Sequence, residues 1–222
     1  LELDATNGSV RMLLTTLRGT VVSTDSVNSR AVLDLQTISR RQVSLFDFTG
    51  TGSNPASYQV DTGSLNLSGL TAGSPVAVRG FVQPFGFAPP DFIAQTLVDA
   101  EDVPTTLFVN WLPASSAAFS AVSATGLTLN LTDSPLHDVW RAGVKTDLTG
   151  TTPVITPASA DDGMFFVKQA GVTQMYTTFA DFAGGIQARL DAGAKIEGLV
   201  ASGEYDDGST TLTSRFVTVN VQ

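Results

Sequence analysis

Leu70-Thr71-Ala72-Gly73-Ser74-Pro75-Val76-Ala77-Val78-Arg79-Gly80-Phe81-Val82 reads as a glycine turn feeding an alternating strand. Leu190-Asp191-Ala192-Gly193-Ala194-Lys195-Ile196-Glu197-Gly198-Leu199-Val200 echoes it near the other end of the chain. Each copy is followed, after a turn, by one last alternating strand, over 92–99 in the first half and 211–219 in the second. A repeat unit of about a hundred residues is the size of a domain, so the pattern reads as a duplication. The acidic, proline-ended run Asp99-Ala100-Glu101-Asp102-Val103-Pro104 falls where the first copy is complete. It predicts a first domain over 1–103 and a second over 104–222.

Strand signals dominate both halves, because β-branched and aromatic residues recur at period two between Gly, Asn, Asp and Pro. The first half predicts strands over 19–23, 31–37, 41–48, 76–82 and 92–98, with a glycine- and proline-rich loop after the third. In the second half the predicted strands are 106–112, 126–132, 164–169, 196–200 and 212–221, with Leu129-Asn130-Leu131 matching Leu33-Asp34-Leu35. One helix is expected. Phe179, Phe182, Ile186 and Leu190 fall on one helical stripe, Thr178 offers an N-cap, and Gly193 stands just past the end. The second half is also longer before its fourth strand, which marks 133–163 as an insertion of the kind on which function is often grafted.

Three strands, a helix or its remnant, then two strands is the order of the OB-fold. The predicted class is therefore all-β: two tandem OB-like five-stranded barrels, the second with one helix before its fourth strand. The chain resembles the small, often repeated OB-like domains of uncharacterised bacterial exported proteins and lipoproteins. There a leucine-x-x-Gly element precedes a V-x-V-x-G strand, here Leu70 to Gly80, shortened to Ile196-Glu197-Gly198 in the second copy. The resemblance implies a periplasmic or cell-surface location, lipid-anchored in one version, and no particular activity.

Composition narrows the function classes. Only 15% of residues are charged, three of them lysines (Lys145, Lys168, Lys195), so the surface must be built largely from Ser, Thr, Asn, Gln and Gly. No apolar run approaches the eighteen or so residues of a membrane helix, so no transmembrane segment is expected. The chain begins at Leu1 without a basic n-region or an apolar h-region and reads as a mature form whose targeting segment has been removed. The absence of cysteine removes thiol catalysis and thiolate metal sites. The net charge of −9 divides as −4 over 1–103 and −5 over 104–222, and neither half offers the basic face that a phosphate backbone requires. Arg40-Arg41 beside Phe46 and Phe48 is the one cluster that could serve a nucleic acid, and the acidic total argues against it.

His137, the only histidine, stands beside Asp138 and could act as a general base. Ser134-Pro135 nearby reads as turn chemistry, and no nucleophile elbow is present. The loops Asp161-Asp162-Gly163 and Glu204-Tyr205-Asp206-Asp207-Gly208 could hold calcium, but Asp207-Gly208 is equally the signature of a two-residue hairpin turn. No metal and no cofactor is expected. The most distinctive stretch is Phe81-Val82-Gln83-Pro84-Phe85-Gly86-Phe87-Ala88-Pro89-Pro90-Asp91-Phe92, a hairpin tip crowded with phenylalanine. It is either tucked under the barrel or exposed to a partner. Phe85 and Phe87 there, with the aromatics Trp111 and Trp140, are the candidate ligand- or partner-binding residues, and Phe108, Trp111 and Trp140 are expected to be exposed. The sequence thus points to a non-enzymatic envelope module with an unknown protein or glycan partner. A carbohydrate- or lipid-binding protein using a cleft between the barrels and a hydrolase with an unrecognised site are the alternatives.

Overall fold

The computed structural model describes residues 12–84, 87–101 and 103–222, which form two compact units, Leu1–Glu101 and Asp102–Gln222. The described residues of the first unit form six strands: β1 (Thr15–Asp25), β2 (Arg30–Ile38), β3 (Arg41–Gln42), β4 (Tyr58–Asp61), β5 (Pro75–Val82) and β6 (Phe92–Asp99). Strand β1 pairs antiparallel with β2 and β5, β5 with β6, and β2 with β4, while β4 and β6 run parallel. Those pairings close a ring of five. Alternation does the rest: Leu17 and Val21, Leu33 and Leu35, Val60, Val76 and Val78, and Phe92 all turn inward and are buried. Each such side chain contributes roughly 1.5–3 kcal/mol by leaving water.

The third barrel strand is not where the sequence pattern placed it. Ser39 and Arg40 take left-handed backbone conformations (φ +48° and +68°), so the chain doubles back and only Arg41–Gln42 pairs with β2. Val43–Leu45 then winds into a single 3-10 turn with nothing buried, and Leu45 and Phe46 face solvent. The strand that completes the ring is Tyr58–Asp61, where Tyr58 and Val60 alternate inward against exposed Gln59.

The second unit has ten strands and one helix: β7 (Thr105–Ser115), β8 (Phe119–Ser123), β9 (Gly126–Leu129), β10 (Leu136–Arg141), β11 (Val144–Asp147), β12 (Val154–Pro157), β13 (Met164–Gln169), β14 (Val172–Tyr176), α1 (Phe179–Asp191), β15 (Ile196–Asp206) and β16 (Thr211–Val221). Its sheet runs β11-β10-β7-β15-β16-β12-β9-β8, with β13 lying parallel to the far half of β16 and carrying β14. Pairing does not draw the five-stranded ring expected of this half, and 133–163, expected as an insertion, supplies most of β10 to β12. Strands β15 and β16 are joined by a four-residue loop with Thr210 left-handed (φ +52°), not by a two-residue turn at Asp207-Gly208. Asp207 instead leaves the loop to hold the buried Arg141 guanidinium, with Nη1 2.7 Å from Oδ2 and Nη2 donating to Oδ1 at 2.8 Å.

Helix α1 forms where its stripe predicted. The Thr178 hydroxyl caps it by accepting from the Asp181 N–H at 3.1 Å, and Gly193 beyond the end has φ +88°. Phe179, Phe182 and Ile186 are fully buried, with Phe182 stacked on Phe165 at 5.4 Å. The glycine at 185 has a reason: a Cβ there would overlap the Tyr176 phenol.

Both units turn their fourth strand at a glycine bulge. Gly80 in β5 faces Thr15 and Gly203 in β15 faces Thr105, and each sits where the register with the last strand slips, opposite Ala94 or Ser214. A Cβ at either would overlap the carbonyl oxygen of Ile93 or Thr213. Gly203, rather than Gly198 of the sequence echo, therefore shares the bulge geometry of Gly80. The same register sets Val217 opposite Ala201 as Leu97 stands opposite Val78.

Candidate functional site

Of the four candidate binding residues, Phe85 lies outside the described residues. Phe87 is 69% exposed, its N–H donating to Pro84 O at 3.2 Å. Trp111 is not exposed at all. It lies on the inward face of β7, edge-on to Phe119 at 6.1 Å, and its indole N–H donates to Asn130 O at 3.0 Å. A lone tryptophan in an alternating strand gives no sign of which face it takes until its neighbours Leu107 and Val109 are seen to be core. Trp140 and Phe108 stand partly exposed on neighbouring strands β10 and β7.

A recess of about 230 Å³ opens beside the hairpin tip of the first unit. Phe46, Phe48 and Tyr58 form its aromatic side, and Val82, Gln83 and Pro84 from the start of the tip form the opposite wall. Phe48 meets Tyr58 edge-on at 6.4 Å. Asp91, 5% exposed, ties the site together: Oδ1 accepts from Ser53 Oγ at 2.7 Å and Oδ2 from the Gln59 N–H at 2.7 Å. Its backbone carbonyl accepts from the Gln83 N–H at 2.9 Å. Burial, and secondarily the Asp91 charge, pushes the Tyr58 phenol up to about 12. With the Asp91 carboxylate hydrogen-bonded on both oxygens and Asp47 Oδ1 taken by the Thr49 N–H, the recess presents mainly ring faces and aliphatic edges.

One wall of this recess is a turn that recurs in the other unit. Asp47-Phe48-Thr49-Gly50-Thr51 and Asp147-Leu148-Thr149-Gly150-Thr151 lie one hundred residues apart and fold alike. The Asp Oδ1 accepts from the N–H two residues on, at 2.8 Å in the first and 2.7 Å in the second. The last threonine hydroxyl donates to the carbonyl of Phe48 or Leu148 at 2.7 Å, and the glycines have φ +73° and +78°. Phe48 packs against its core and Leu148 is buried in its own. Both aspartates are held below the ordinary carboxylate value of 3.8, Asp47 first by the Thr49 N–H and Asp147 first by the Thr149 hydroxyl.

In the second unit the turn borders a larger, polar recess of about 490 Å³, which also takes in residues 129–134 and His137. His137 Nδ1 lies 2.9 Å from Ser134 O, so that nitrogen carries a proton, and Nε2 lies 2.9 Å from Thr149 Oγ1. Asp138, the neighbour in sequence, points to the other side of β10, where it is 4% exposed and 3.1 Å from Lys145 Nζ. The carboxylate beside the imidazole is Asp147, at 3.5 Å. Strand alternation separates adjacent residues, and the Asp-x-Thr-Gly-Thr echo is the sequence signal that would have found the right partner. Thr149 has one proton and two acceptors, and the 2.6 Å contact to Asp147 Oδ1 claims it over the ring.

Comparison with protein-family models, with curated proteins and with solved structures finds no match.

Proposed function

We propose that this chain is a non-enzymatic binding module of the bacterial cell envelope, built from two OB-like units, the second being the same barrel with its first hairpin split. Three strands, a turn-rich connection and two strands, closed through a parallel pair of the third and last, support the OB reading of the first unit. The second unit repeats β1-β5-β6 and parallel β4 as β7-β15-β16 and parallel β12. Its β9 pairs with β12 as the first half of β2 pairs with β4, and its β10 pairs with β7 as the second half of β2 pairs with β1.

The observation that carries the binding reading is the aromatic recess of the first unit, whose buried carboxylate, Asp91, is spent on structure while Phe46 stays 38% exposed at its edge. It suits a ring or the end of an acyl chain. In the second unit the Thr149 hydroxyl and N–H are both bonded to Asp147, which withholds them from His137 as a nucleophile and from an oxyanion as a donor. The low charge and hydroxyl-rich surface support export, and the net charge of −9 opposes a polyanion.

Titration with the neutral probe N-phenyl-1-naphthylamine should give saturable fluorescence enhancement that Phe46→Asp abolishes while thermal unfolding is unchanged. Absence of saturation, or the same enhancement in Phe46→Asp, would remove this reading. Fractionation of cells expressing the full-length gene should find the protein in the envelope fraction, and recovery in the cytosol would contradict the location.

A further inference from the structure

We infer that the recess of the second unit is a seat for a neutral saccharide of one or two rings. This deepens the binding-module reading and rests on it. Three observations carry the inference.

At about 490 Å³ the recess falls within the roughly 300–1,000 Å³ of small-molecule sites, whereas the aromatic recess of the first unit falls below it. Its polar groups are also unusually one-sided. A hydroxyl has a single proton, and here those protons point into the protein. Thr132 donates to Asn130 Oδ1 at 2.7 Å, Thr149 to Asp147 Oδ1 at 2.6 Å, and Thr151 to Leu148 O at 2.7 Å. The recess therefore meets a ligand chiefly with oxygen lone pairs. Such a lining wants a ligand rich in donors. An anion would meet mostly acceptors, in a chain of net charge −9. Finally, Leu129 and Leu131 give the same recess apolar edges, against which the C–H face of a sugar ring can lie while its hydroxyls donate to the threonines.

His137 positions this lining. Its Nδ1–H donates to Ser134 O at 2.9 Å while Nε2 lies 2.9 Å from Thr149 Oγ1, so the ring stands between the loop joining β9 to β10 and the Asp-Leu-Thr-Gly-Thr turn. Both walls of the recess thereby keep their spacing.

Isothermal titration of the intact chain with cellobiose, maltose and N,N′-diacetylchitobiose tests the inference. At least one should bind saturably, with a Kd of order 1 mM. Thr149→Val and, separately, Thr132→Val should each weaken that binding about tenfold, and Phe46→Asp in the other unit should leave it unchanged. The two threonine variants remove acceptors from different walls, so one that fails to fold does not spare the proposal from the other. No heat with any of the three sugars, equal affinity in a folded threonine variant, or displacement of the sugar by sulfate or by tetramethylammonium would each overturn it. If the naphthylamine still binds when no sugar does, this inference fails alone. Failure of both ligands would remove the binding-module reading as well.

Discussion

The first unit runs β1 and β2 unbroken for 11 and 9 residues, whereas in the second β7 is separated from β8 by 116–118 and β9 from β10 by 130–135. In the closed ring, β2 serves two neighbours: Arg30 to Leu33 pair with β4 and the whole strand pairs with β1. In the second unit separate strands take separate neighbours. The β8–β9 hairpin stays with β12, and β10 stays with β7. The recess of the closed barrel is small and aromatic. The residues between β9 and β10, 130–135, are polar apart from Leu131 and Pro135, because backbone that leaves a ladder needs side-chain partners. Asn130 Oδ1 accepts from the Thr132 N–H at 3.1 Å, and Ser134 Oγ donates to the carbonyls of Asn110 and Leu136.

The helix is the sharpest difference between the units, since the described residues of the first contain none. Phe182→Ala should cost about 3–5 kcal/mol in urea unfolding, because the ring is wholly buried among Phe165, Phe179 and Tyr176. A loss below about 1 kcal/mol would mean that α1 is not what closes the second core.

The glycine bulges break or keep the strand-by-strand correspondence. Gly80→Ala and Gly203→Ala should each destabilise by about 3 kcal/mol, because the new Cβ meets a backbone carbonyl that cannot move without opening the sheet. Gly198→Ala should cost under about 1 kcal/mol, its Cβ meeting Val109 O at 3.3 Å. Equal costs at 198 and 203 would return the equivalence to the pairing suggested by the sequence echo.

Acid should act alike on the two repeated turns. Both carboxylates titrate lower folded than unfolded, so each contributes stability that is present above about pH 3.8 and is lost as pH falls through the depressed folded value. Following the amide shifts of Thr49 and Thr149 with pH should give midpoints below 3.8 in both turns, and an ordinary midpoint at either would mean that turn is not formed. Alkali should show a smaller, matched effect at one phenol in each unit. Burial raises Tyr58 and Tyr205 to about 12, with Asp207 adding to the rise at Tyr205 and Arg141 opposing it. The stability each contributes is intact below pH 10 and is lost as pH climbs toward 12. Tyrosinate absorbance should therefore rise late, and ionisation of both near 10 would contradict their burial.

Much of the fold is legible in the sequence where a pattern is long or capped. The β1–β2 hairpin, β5, β6 and α1 can be read from alternation, from Asp25 before its turn, and from Thr178 and Gly193. Tyr58-Gln59-Val60-Asp61 is too short to outbid the apolar run from Val43 to Phe48, and only ring closure singles it out. Strands β8, β10, β11, β12 and β14 are missed for the same reason: four to six residues each, given meaning by partners distant in sequence. The site is half legible. Val82, Gln83 and Pro84 at the start of the crowded tip form one wall of a recess that Phe87 does not line, and its other wall comes from Phe46, Phe48 and Tyr58, the last of these from a strand the sequence pattern does not mark. Likewise His137 can be read as notable, whereas its partners Asp147 and Thr149 come from the turn after the next strand.

We propose one barrel path used twice, whole in the first unit and cut in the second. The cysteine-free chain makes disulfide trapping a direct test. Val32→Cys with Gln59→Cys bridges β2 to β4, and Thr128→Cys with Val154→Cys bridges β9 to β12, both between directly paired residues. Under mild oxidation both pairs should close rapidly and in high yield within single chains, whereas His137→Cys with Val154→Cys should not. Closure of that third pair, with Thr128 and Val154 remaining open, would place β10 rather than β9 against β12 and contradict the split.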